Sequence, residues 1–183
     1  IIILYLIIFL IFILFISIFF IGRYNIDFRI IFNLNNPEFK NLKQVLLYIR
    51  LPRIIAALLV GAALSVSGAT YQAVFKNPMV SPDILGASSG SAFGIAFSII
   101  MHFNYVNTIL FSFFTGIIAV FLSYSISKLL LNDRKFSLIL SGIMISTIFS
   151  SLLSYIKLIA DIDNELPDIT YWLMGRLSGV TYK

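Results

Sequence analysis

Arg50 and Arg53 are spaced i, i+3 in the stretch Arg50-Leu51-Pro52-Arg53, so a helix there carries both guanidinium groups on one face. Two cations on one face can meet acceptors on a docked protein, or snorkel to lipid headgroups. Pro52 suits the first turn of a helix, where a missing N–H is harmless. At such a start the two arginines oppose the macrodipole by about 0.3–1 kcal/mol, so an offsetting acceptor is expected. Other reactive groups are few. His102 is the single histidine and there is no cysteine, so neither a metal site nor a proton relay can be assembled within the spans. Gly86, Gly90 and Gly94 recur every fourth residue, but no Gly-Lys-Ser/Thr follows any glycine run, which excludes a phosphate loop. That stripe, like Gly61, Ser65 and Gly68, reads as a face for close helix packing. No catalytic residue and no metal ligand is identified.

The elements that position these residues are apolar runs of spanning length. Ile1 to Ile21 holds no charge and exceeds the ~7–15 residues of a signal-peptide core. Gly22 to Ile49 is a mixed connector, with Lys43 to Ile49 as a short surface helix. Ile54 to Phe75 is 22 uncharged residues, about 33 Å as helix and enough to cross a hydrocarbon core. Asn77-Pro78 ends it. Ser81-Pro82-Asp83 reads as N-cap, N1 and N2 of the next helix. Ile84 to Ser127 carries no Asp, Glu, Lys or Arg over 44 residues. The polar island His102 to Asn107 divides it into two spans. Lys128 to Lys135 is a charged loop, and Phe136 to Ile156 a fifth span. Asp161, Asp163, Glu165 and Asp168 form an acidic loop broken by Pro167. Ile169 to Gly175 is too short to span and suits a re-entrant or interfacial helix anchored by Trp172.

Composition agrees. The chain is 60% hydrophobic and 11% charged, with a mean hydropathy of +1.00, whereas soluble domains run at about 25% charged. The expected fold is all-α: a polytopic membrane bundle of about five transmembrane helices plus the short helix, within one domain over residues 1–183. A net charge of +5 then reports membrane sidedness or a partner surface, not nucleic acid. The spans lack the buried acids that ion-coupled transporters and intramembrane enzymes use. A bulky cargo moved by energy from elsewhere fits better.

Several separated motifs carry a resemblance. Arg50-Leu51-Pro52-Arg53, Gly61-Ala62-Ala63-Leu64, Ser67-Gly68, Gln72, Asn77-Pro78, Leu85-Gly86, Leu140-Ser141-Gly142-Ile143 and Tyr171-Trp172-Leu173-Met174-Gly175 occur in this order. They resemble the permease subunits of ABC importers for iron–siderophore complexes, haem and cobalamin, from about Arg50 to the end of the chain. The resemblance implies a multi-pass cell-membrane protein that is not itself an enzyme. It implies a permease homodimer or heterodimer in the lipid bilayer, with cytoplasmic ATP-binding subunits and an extracytoplasmic substrate-binding protein. ATP would sit on the partner subunit, with no cofactor on this chain. Arg50 and Arg53 would pair with glutamates of the binding protein. Ser141, Ser146, Thr147 and Ser150 of span five, with Tyr171, Trp172 and Met174, would line the translocation path. Asn77 and Met79 match positions near the cytoplasmic constriction. At a second constriction this chain has the loop Asp133-Arg134-Lys135-Phe136 where a cobalamin-type member has small hydroxyl residues, which argues against cobalamin as cargo. Family members have about ten spans, so five suggest roughly the first half.

Lys and Arg counts favour an external amino terminus, because Arg23, Arg29, Lys40, Lys43, Arg50, Arg53, Arg176 and Lys183 would otherwise face outward. The family's orientation places it inside, and that orientation is adopted. The competing readings are a small polytopic channel or assembly protein and an intramembrane lipid-modifying enzyme.

Overall fold

A proline stands inside the longest helix, and the backbone widens to admit it. In the computed structural model, residues 44–129, 134–177 and 179–180 are described, together with helical residues 5–7, 9–11, 13, 14 and 17. Val45–Arg50 is π-helical, and the Leu51 N–H reaches back to the Leu46 carbonyl. It runs directly into α1, Leu51–Phe75. Proline within a helix lacks a donor and its ring crowds the carbonyl four residues earlier, here that of Tyr48. The wider π turn immediately before Pro52 gives that carbonyl room. Two expectations are thereby corrected. Of the expected surface helix Lys43–Ile49, Lys43 lies outside the described residues and Gln44–Ile49 is continuous with α1, and Pro52 does not open a helix. Val45–Phe75 is a 31-residue helix, about 46 Å long against a core of about 30 Å.

The described residues fall into two compact units, one drawn from Ile1–Ala63 and Leu177–Lys183, the other from Leu64–Arg176. In the second unit, α1 ends in a Schellman motif. Lys76 is left-handed (φ 51°), its N–H bonds to the Ala73 carbonyl and that of Asn77 to the Gln72 carbonyl. The Asn77 side chain then accepts the Met79 N–H at 3.0 Å, shaping the turn through Pro78.

The next helix does not begin at Ser81-Pro82-Asp83. That segment is a string of turns, and α2 spans Ala87–Ile100 behind a left-handed Gly86 (φ 80°). Asp83 still caps it, accepting the Ser88 N–H at 2.8 Å. Fourteen residues reach about 21 Å, short of a full crossing, and the residues before them form turns, with the Ile84 N–H on the Ser81 carbonyl and that of Gly86 on Asp83. Exposed to lipid this would be prohibitive. The last two residues before α2, Leu85 and Gly86, are buried, whereas Ser81 and Asp83 are exposed. Ser123 of α3, Tyr105–Ser127, donates its hydroxyl to the Leu85 carbonyl at 2.9 Å. Gly142 of α4, Arg134–Ile159, lies against the Ile84 carbonyl, where a Cβ would collide with it. Gly86 is therefore no part of the helical small-residue stripe. Gly90 and Gly94 are, and they let α3 approach at Ala119, Thr115 and Ser112.

A second Schellman motif closes α2, with His102 left-handed (φ 53°) and its N–H on the Ile99 carbonyl, while that of Phe103 reaches Ser98. Asn104 caps α3 through the Asn107 N–H. The short helix is α5, Glu165–Leu173, longer than the expected Ile169–Gly175. Pro167 does not break it, because in the first turn its missing N–H is unpaired in any helix. Its fully buried Ile169 packs with Ala96, Ile156 and Ala160. Val45–Phe75, Tyr105–Ser127 and Lys135–Ile159 are each long and apolar enough to cross a membrane, and Ala87–Ile100 is a shorter apolar helix. The first expected span lies largely outside the described residues.

Candidate functional site

On α4, Ser146, Thr147, Ser150, Ser151 and Ser154 repeat with the i, i+3, i+4 spacing that keeps side chains on one helix face. They line a groove of about 440 Å³, whose other wall is Asp83 and Ile84 of the unwound segment. Thr147 donates to the Ile143 carbonyl at 2.8 Å, Ser151 to Thr147 and Ser154 to Ser150, each at 2.9 Å. Those protons are satisfied inside the helix, so oxygen lone pairs face the groove. Asp83 contributes the only carboxylate of the lining, partly held by the Ser88 N–H. The surface sets the hydroxyls beside the Ile84 and Ile143 side chains and carries no group able to coordinate a metal tightly. Among the described residues no cluster of three or more His, Asp or Glu could hold one.

The structure brings Ser146, Thr147 and Ser150 onto this surface. Ser141 lies apart from it: it is fully buried and donates to the Leu138 carbonyl at 3.0 Å. Ser151 and Ser154 were missed by the sequence reading, although the hydroxyl period that marks them continues through both. Met79 projects into the open at 89% exposure, next to the Asn77 turn. On α5, Trp172 pairs with Tyr105, ring centroids 5.7 Å apart. Tyr171 is exposed with the Arg176 guanidinium 5.9 Å over its ring, and Met174 just beyond the helix is exposed too. Arg50 and Arg53 belong to the first unit and are half-buried. Because the helix continues through them from Gln44, the macrodipole argument for an acceptor does not hold.

His102 lies at the α2–α3 turn, where its Nε2 stands 3.7 Å from Glu165 Oε1. The start of α5 is tied locally. Asp161 offers its N–H to Glu165, and Asn164 donates its side-chain amide to the Asp161 carboxylate at 2.8 Å. That amide, opposed by desolvation and helped by backbone N–H groups, holds the Asp161 carboxyl below its ordinary range. A depressed folded-state pKa stabilises this turn above the unfolded pKa and stops doing so as pH falls through the folded value. Replacing Asn164 by alanine is expected to return the Asp161 titration upward, as followed by carboxyl chemical shifts. An unchanged titration would remove the amide as its cause.

The FecCD transport family matches residues 8–183. The iron chelatin transport system permease of Helicobacter pylori is 41% identical over 150 residues, which is 82% of this chain and 45% of that protein. The molybdate import system permease of Haemophilus influenzae is 41% identical over 141 residues, 74% of this chain and 40% of its own. The hemin transport system permease of Yersinia pestis is 31% identical, covering 85% and 47%. An inward-facing structure described as a metal-chelate type ABC transporter superposes with a TM-score of 0.77 at 36% identity, over 92% of this chain and 51% of that one. The chain spans about half the length of the curated relatives it matches. Motif order, helical architecture and these matches agree: this is a multi-pass cell-membrane protein, all-α, and it belongs to the FecCD transport family.

Proposed function

We propose that the chain forms part of the permease subunit of an ATP-driven importer whose cargo is an iron–siderophore complex or a related metal chelate. The observation that carries this reading is the hydroxyl stripe on α4. Five hydroxyls on one exposed face of a membrane helix are poorly suited to lipid and well suited to a water-filled route. Its wall opposite, Asp83 and Ile84, belongs to irregular backbone, which inside a membrane is tolerated where it is packed in protein or lines such a cavity. The lining has hydroxyls, one carboxylate and no cation. That suits a large complex whose metal charge is wrapped by its chelator. Relatives named for iron chelatin and hemin support the cargo class.

In this assignment Ser146, Thr147 and Ser150, joined by Ser151 and Ser154, border the path. Tyr171, Trp172 and Met174 stand at its outer end, and Asn77 and Met79 at the cytoplasmic constriction. Arg50 and Arg53 receive acidic side chains of an extracytoplasmic binding protein. ATP is hydrolysed on separate cytoplasmic subunits, and a second permease copy completes the route. Cysteines at Ser150 and, off the stripe, at Leu152 test it in the full-length protein with its partners. A water-soluble thiol reagent is expected to modify the first and stop ATP-driven uptake, and to leave the second unreacted. Uptake that survives complete modification at Ser150 would overturn the path.

A further inference from the structure

A second groove lies on the opposite chemistry. Phe113, Ile117, Val120 and Tyr124 of α3 follow one another at helical spacing over a floor formed by Ser91 and Gly116, enclosing about 500 Å³ with an almost wholly apolar lining. The floor exists because the helices touch there: a Cβ at Gly116 would collide with the Ser91 hydroxyl. Its walls stay open, with Phe113 and Phe121 exposed by 61% and 64%. The stripe then ends in a charge. Lys128, one turn beyond Tyr124, places its ammonium 4.3 Å over the Tyr124 ring.

We infer that this groove binds one acyl chain of an anionic phospholipid, with the headgroup phosphate at Lys128. Dimensions decide in its favour. From Phe113 to Tyr124 the helix rises about 16 Å, the depth of one leaflet of a 30 Å hydrocarbon core. From Phe113 to Lys128 it rises about 22 Å, which is half of the ~40–45 Å bilayer with its headgroups. An apolar slot of leaflet depth with a cation at headgroup level matches a phospholipid in both length and polarity. A lysine at the end of α3 also complements the helix dipole, but dipole complementarity does not require the ammonium to lie along the aromatic ring that walls the slot. Lys128 is exposed, so its ammonium can reach a headgroup phosphate at the end of the slot.

The test places a photoreactive benzophenone at Phe121, in the groove, and separately at exposed Phe114, outside it. The full-length protein is reconstituted in vesicles of equal parts phosphatidylglycerol and phosphatidylcholine, and the captured lipid is identified by mass spectrometry. Capture at position 121 is expected to favour phosphatidylglycerol about fivefold, the discrimination that one lysine near a membrane surface supplies. At 114 it should follow the bilayer composition, and Lys128→Gln should reduce 121 to that level. Equal capture at both positions, enrichment that survives Lys128→Gln, or crosslinking only to protein at 121 would each overturn the inference. The last would assign the slot to another helix.

Discussion

Replacing Gly142 by leucine is expected to dislodge the unwound segment from α4 and leave little folded protein. The collision is with backbone, the Ile84 carbonyl and the Leu85 Cα, and so cannot be relieved by a rotamer change. Overpacking of a tight contact destabilises by about 1–3 kcal/mol. Here the displaced carbonyls also lose their cover at membrane depth, where each unsatisfied group adds several kcal/mol. Monodisperse protein recovered from detergent on size-exclusion is the measurement. Gly61→Leu is the control, because a Cβ there meets nothing within 4 Å. Equal recovery of the two variants would show that residues 81–86 are not held as described.

Reversing both arginines, Arg50→Glu with Arg53→Glu, is expected to abolish docking of an acidic binding protein while leaving insertion intact. Their three-residue separation keeps them within reach of one partner surface. Removing one partner from a hydrogen-bonded charge pair weakens binding by about 2–5 kcal/mol, and reversal adds repulsion. Binding to the reconstituted full-length protein should therefore fall by well over a hundredfold and lose its salt dependence. Binding by the double variant that stays at the unsubstituted level would remove both residues from the interface.

Composition made the membrane environment plain, and the prolines with their neighbours marked where helices give way. What local reading misjudged was the use made of three of them. Pro52 suits a helix start, but a single extra residue per turn upstream lets the helix run through it, and nothing in Val45–Arg50 announces a π turn. Pro82 after Ser81 also suits a start. The helix is postponed to Ala87 because Ser123 and Gly142, far along the chain, satisfy and cover the carbonyls of Leu85 and Ile84. Pro167 reads locally as a breaker and lies in a first turn. On the site, the hydroxyl period on α4 was legible, and it was followed only as far as Ser150. Ser141 keeps the same residue type without the same face, since Gly142 beside it turns that side of α4 inward.

The segment Ser81–Gly86 also bears on how the chain is made. The Leu85 carbonyl waits for a hydroxyl 38 residues later, and the Ile84 carbonyl for a glycine on the helix after that. When α1 and α2 leave the ribosome, neither partner has yet been synthesised. Until α3 and α4 follow, the Leu85 carbonyl lacks its hydroxyl and the Ile84 carbonyl the helix that covers it. The cover of this segment is thus set by two helices that come after it in the sequence.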